Sequence, residues 1–116
     1  MATLIQPTGP AHTRILSIGA ARGNVDVPNE DVVDLIDSSD EWIRQRTGII
    51  QRRRASADVD AIDLAVEAGE EAIVRSGLDR ADIDGLIIST ISNVAVTPSM
   101  AALAAHRLGL TPAAAF

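Results

Sequence analysis

The chain has 116 residues, 47% hydrophobic and 22% charged, which is room for one small domain of ordinary globular composition. A formal net charge of -6 argues against general nucleic-acid binding, and the absence of Cys excludes a disulfide framework, a thiolate zinc site and a cysteine nucleophile within these residues. Trp42 and Phe116 are the only aromatic residues, so a core must be built from Ala, Val, Ile and Leu.

No apolar run reaches the length of a membrane span, so no membrane partner is expected. The opening MATLIQPTGPAHTR lacks the charged start and apolar run of a secretory signal, and the expected compartment is the cytoplasm. Pro7, Gly9 and Pro10 predict a flexible arm over residues 1–13, ahead of a domain over 14–116. His12 and His106 lie far apart without ligand spacing and read as solvated side chains, so no metal site is expected.

Residues 14–20 (RILSIGA) predict a short, mostly buried strand. Gly23-Asn24 and Pro28-Asn29 mark turns, and Asn29 is placed to cap a helix over 30–36 with Glu30 and Asp31 in its first turn. Ser38 and Glu41 fit a capping box, Ser38 as N-cap, for a second helix carrying Trp42, Ile43, Arg44 and Arg46. Gly48 stops that helix, and residues 49–54 read as extended and basic.

The clearest helix is predicted over 60–76. Ile62, Ala65, Val66, Gly69, Ala72 and Ile73 fall on one face, and Glu71 and Arg75 stand at the favourable i, i+4 spacing on the other. Small residues on the apolar face imply close approach to another element. Residues 79–84 predict a capped turn or a single helical turn. Residues 85–91 (GLIISTI) predict the strongest strand, apolar on both faces as a covered central strand is. After a loop over 92–96, Thr97 as N-cap and Pro98 at the first helical position open a last helix that runs to Gly109. Residues 113–116 (AAAF) begin another apolar run. The element order predicts an α/β protein with a mixed, mostly buried sheet.

Chemistry read from spacing alone is thin. Trp42 and Arg46 are four apart and share a helix face. An indole can stack on a purine, a guanidinium can meet a phosphate in a bidentate fork, and Thr47 adds a hydroxyl beside them. That set suits an adenine nucleotide carrying phosphates. The plainer alternative is an aromatic anchor beneath a solvated arginine. Arg52-Arg53-Arg54 reads as a solvated strand face, or as added attraction for phosphates or an acidic partner.

The string from Asp37 to Ile49, DSSDEWIRQRTGI, resembles the signature DSSDEWIxxRTGI of the β-ketoacyl-acyl carrier protein synthase III family. Three further stretches fall in that family's order. Pro28-Asn29-Glu30-Asp31 is similar to its early turn and helix start, residues 81–90 to its AxDIDxLIxxT strand, and Thr97-Pro98-Ser99 with Leu108-Gly109 to its TPS start and LG stop. One departure is Ala21-Arg22-Gly23, where the family usually has Tyr and Pro after its first strand.

The resemblance implies the N-terminal part of a thiolase-like layered α/β/α/β/α fold, usually a homodimer. It implies condensation of an acyl-coenzyme A primer with malonyl-acyl carrier protein to start fatty-acid synthesis, with the coenzyme A thioester as substrate and no separate cofactor. By position, Trp42 would stack on the coenzyme A adenine, Arg46 and Thr47 would contact the nucleotide, and Ser38 would offer a hydroxyl to the adenine. The loop 92–97 matches one that helps line the partner's acyl pocket. The family's nucleophile is a Cys at a helix N-terminus, six residues after an aromatic that Phe116 matches. That Cys, and the assisting His and Asn, are therefore expected beyond Phe116, with no catalytic residue inside this chain. Two other readings stand beside this one: a non-catalytic coenzyme A-binding or dimerisation module, and a synthase III relative in polyketide or secondary metabolism.

Overall fold

A computed structural model describes Gly9, residues 12–93, Ala95 and residues 97–111 and 113–116. Most of the arm expected over 1–13 lies outside the described residues. In chain order the elements are β1 (Val25–Pro28), α1 (Glu30–Val33), α2 (Asp40–Thr47), β2 (Gln51–Arg54), α3 (Ala61–Ser76), β3 (Gly85–Leu86), α4 (Met100–Arg107) and β4 (Ala114–Ala115), with a 3-10 turn at Arg80–Asp82. Among the described residues the strands make two two-stranded sheets, β1 antiparallel to β2 and β3 parallel to β4.

The first strand is not the one read from the sequence. Residues 14–20 form no ladder among the described residues; hydrogen bonds involving side chains tie the segment to α3 instead. The Ser17 hydroxyl donates to the Ala72 carbonyl (2.7 Å), Arg75 donates to the Ile18 carbonyl (3.1 Å), and the Ala20 N–H donates to the Glu71 carboxylate (2.6 Å). Gly19 makes the approach possible: a Cβ there would overlap the Ala68 carbonyl oxygen. The strand instead begins at Val25, with Val27 buried and Asp26 facing Arg53 across the ladder. Gly23, in the stretch that departs from the family pattern, runs so close to the Arg54 backbone that no side chain fits.

Helix α3 forms where its apolar period predicts, with Asp60 as N-cap, the Asp63 carboxylate accepting the Asp60 N–H (2.8 Å), and Gly77 closing the C-terminus at φ 70. The Glu71–Arg75 pair is formed at 2.6 Å. None of its side chains is fully buried; Val66 and Ile73 pack against a core of Ala105, Leu108 and Leu110. Gly69 leaves the space that the Leu108 side chain enters. Leu108 is thus held between α3 and the end of α4, and truncating it to Ala is expected to cost about 2–5 kcal/mol.

Two more expectations are corrected. Helix α4 is capped by Ser99, whose hydroxyl accepts the Ala102 N–H (3.2 Å), rather than by Thr97; the Thr97–Pro98 peptide is cis. The strand expected over 85–91 is a ladder only at Gly85–Leu86, extended by Ile88 N–H donating to the Phe116 carbonyl (2.9 Å). Its sole neighbour among the described residues is the short segment around β4, and Ile87 is 80% exposed instead of covered on both faces.

Candidate functional site

Helix α2 carries the residues singled out by the sequence, and local chemistry fixes both of its ends. Ser39, with extended backbone, is the N-cap: its hydroxyl accepts the Trp42 N–H at 3.1 Å. This corrects the box expected from Ser38 and Glu41. Glu41 bonds Gln45 instead, at 3.1 Å. Gly48 ends the helix at φ 72, its N–H donating to the Arg44 carbonyl (2.9 Å). Ile43 is buried and anchors the helix, while Arg44 pairs with Asp40 one turn back at 2.7 Å.

The other face presents Trp42, 53% exposed, with the Arg46 guanidinium carbon 5.5 Å from the ring centroid. An apolar ring and a cation therefore meet at an accessible surface, with two arginines in the last turn of α2. Thr47 sits beside them, but its hydroxyl donates back to the Ile43 carbonyl (2.7 Å) and accepts the Ile49 N–H (3.1 Å). Its proton is committed to closing the helix, which leaves it only acceptor capacity toward a ligand. The Ser38 hydroxyl oxygen is buried and has no protein partner. The four proposed contacts thus lie on one short helix and its leading turn.

Behind this face stands Asn29, which its place before Glu30 and Asp31 predicts as a helix cap. Asn29 does not cap α1: its backbone is helical and its side chain makes no cap bond. It is fully buried, and its amide Nδ2 donates to Asp40 (2.7 Å) and to the Ile49 carbonyl (2.8 Å), while its Oδ1 accepts from Arg52 (2.7 Å). The partners dictate this orientation, since two are acceptors and one is a donor; a flipped amide would satisfy none of the three. Arg44, first, and the Asn29 amide, second, hold the Asp40 carboxyl below its ordinary value of 3.8.

The basic run is divided by the alternation of β2. Arg52 turns inward to Asn29, with its other terminal nitrogen buried and unpartnered. Arg53 faces the opposite side, bonding Asp26 (2.6 Å) and the Gly23 carbonyl (2.8 Å). It is not a uniformly solvated face.

Cavities of about 300 and 200 Å³ lie elsewhere, the first lined by α4 and by Gly109, Leu110, Thr111, Ala113 and Ala115, the second by residues such as Ile62, Asn93, Met100 and Leu103. The second borders the loop 92–97, of which Val94 and Val96 lie outside the described residues. His12 and His106 are exposed. No helix among the described residues is long and apolar enough to cross a membrane.

No protein-family model matches the chain. Curated relatives do. The chain is 52% identical, over all 116 residues, to the β-ketoacyl-acyl carrier protein synthase III of Kocuria rhizophila, covering 33% of that protein. Among solved structures, the priming β-ketosynthase of the R1128 polyketide pathway superposes with a TM-score of 0.80 at 39% identity, over 89% of this chain and 31% of that one. The 3-oxoacyl-acyl carrier protein synthase III of Aquifex aeolicus gives 0.79 at 31% identity, over 90% of this chain and 34% of that one. The chain therefore spans about a third of the length of the proteins it matches. Its likeness to synthase III, read first from the Asp37–Ile49 string, extends across the whole chain, and its fold is an α/β part of the thiolase-like fold.

Proposed function

We propose that this chain carries the coenzyme A-binding part of a condensing enzyme, one that joins an acyl-coenzyme A primer to malonyl-acyl carrier protein by decarboxylative condensation. The observation that carries the reading is the half-exposed Trp42 with Arg46 beside it on a helix capped at both ends. Adenine stacks on the indole and the guanidinium meets a phosphate of the nucleotide. Thr47 accepts a hydrogen bond at most, and the Ser38 hydroxyl, which has no protein partner, is buried and would have to be uncovered to meet the base edge. Coenzyme A is substrate here and no separate cofactor is required. The Cys, His and Asn that perform the condensation belong to the segment after Phe116. The working form is a cytoplasmic homodimer.

Likeness to a polyketide priming ketosynthase supports a second reading, in which the same chemistry primes a polyketide chain. Both readings share the coenzyme A site, so one experiment tests them together. Coenzyme A is expected to quench the emission of Trp42 saturably, whereas pantetheine, which lacks the nucleotide, leaves it unchanged. Equal responses to the two, or none to either, would remove Trp42 and Arg46 from a nucleotide site.

A further inference from the structure

We infer that Asn29 is a positioning residue, which fixes the pose of α2 and thereby of the Trp42–Arg46 pair. Its use for coenzyme A rests on the function proposed above; its hold on α2 does not. Asn29 is fully buried at the end of β1 and touches three separate parts of the chain: the first residue of α2 through Asp40, the exit of α2 through the Ile49 carbonyl, and β2 through Arg52. One planar amide therefore grips α2 at both ends and ties it to the β1–β2 sheet. Eight residues of helix are held between the two grips.

Only an amide of this length suits the position. A carboxylate keeps the acceptor for Arg52 but has no proton for Asp40 or Ile49, and would set two carboxylates face to face. An apolar residue leaves Asp40 short of one bond and the partly buried Arg52 with none from its guanidinium to Asn29. Trp42 is two residues beyond Asp40, so a shift at that grip is carried directly to the ring and to Arg46 one turn on. Asn29 itself, being wholly buried, touches no ligand.

Because Trp42 is the sole Trp, its emission reports the pose of α2 without a label. The test compares Asn29→Asp, Arg52→Met and, as control, Arg53→Met, whose parent side chain bonds Asp26 and Gly23 but not Asn29. For Asn29→Asp and Arg52→Met, below any thermal transition, the emission maximum and its quenching by acrylamide are expected to shift, and coenzyme A is expected to bind about tenfold more weakly. Arg53→Met should change neither. If Asn29→Asp does not fold, Arg52→Met decides, since it deletes a single bond to Asn29 and leaves no buried charge. Parent-like emission in the folded variants, with only a lowered melting point, would make Asn29 a stability residue and overturn the inference. Should the parent chain fail to bind coenzyme A, the functional proposal falls, and the emission data alone decide whether Asn29 sets the pose of α2.

Discussion

The Ser39 hydroxyl accepts the backbone N–H of Trp42 at 3.1 Å, so the residue that starts α2 is bonded to the residue that carries the site's only aromatic ring. Capping and the proposed site are joined at one hydrogen bond. Ser39→Ala leaves that amide without its side-chain partner and is expected to lower stability by about 1 kcal/mol. Urea unfolding followed by Trp42 emission checks this, and an unchanged midpoint would show that water satisfies the amide equally well.

Gly19→Ala is expected to be the more damaging of two small changes. The added methyl overlaps the Ala68 carbonyl, which is helix backbone and cannot turn away. Residues 14–20 must then lift from α3, and the three bonds made by Ser17, Ala20 and Arg75 go with them. A loss of about 1–3 kcal/mol is predicted from overpacking. Protection of the Ala20 amide from hydrogen exchange should fall with it; retained protection would mean the segment is held elsewhere.

Acid should weaken the fold in a defined direction. Asp40 is held below its ordinary value by Arg44 and then Asn29, Asp63 by the Asp60 N–H and then Arg107, and Glu70 by Arg80. Depressed carboxyls contribute stability that is present above their ordinary values, 3.8 for Asp and 4.5 for Glu, and is lost as pH falls through the lower folded values. These groups are partly exposed, so salt screens the effect. Urea midpoints should decline on moving from about pH 6 to about pH 3, less steeply in high salt. A midpoint that rises toward acid would contradict the ion-pair assignments.

How much of this was legible beforehand divides along physical lines. Local signals read well: the apolar period of α3, the Gly48 and Gly77 stops, the Glu71–Arg75 pair, and the Asp37–Ile49 string that pointed to the fold. Contacts between distant segments did not. Ser38 and Ser39 are equally good caps by composition, and only the backbone angle of Ser39 decides between them. Residues 14–20 have a strand's composition, yet no sequence pattern says that the segment will be tied to α3. Asn29 looked like a helix cap because Asn often is one; its three partners lie 11, 20 and 23 residues away. Of the proposed site, the Trp42–Arg46 spacing was readable, whereas the committed hydroxyl of Thr47 was not.

Exposed apolar side chains give a fourth expectation. Ile15, Ile18, Ile87, Ile91 and Phe116 are all at least 70% exposed, and among the described residues β3 pairs only with β4. An open strand edge beside apolar residues invites association. The 116-residue chain alone is expected to bind anilinonaphthalene sulfonate under native conditions and to associate as its concentration rises. Concentration-independent monomers with no dye binding would show that these residues find cover within the chain.

Whether Trp42 belongs to a coenzyme A site is tested most directly by calorimetric titration of coenzyme A into the full-length protein and its Trp42→Ala variant. Loss of one base stack predicts binding weaker by about 1–3 kcal/mol in the variant. The same affinity in both, or no heat of binding in the parent, would contradict the coenzyme A site.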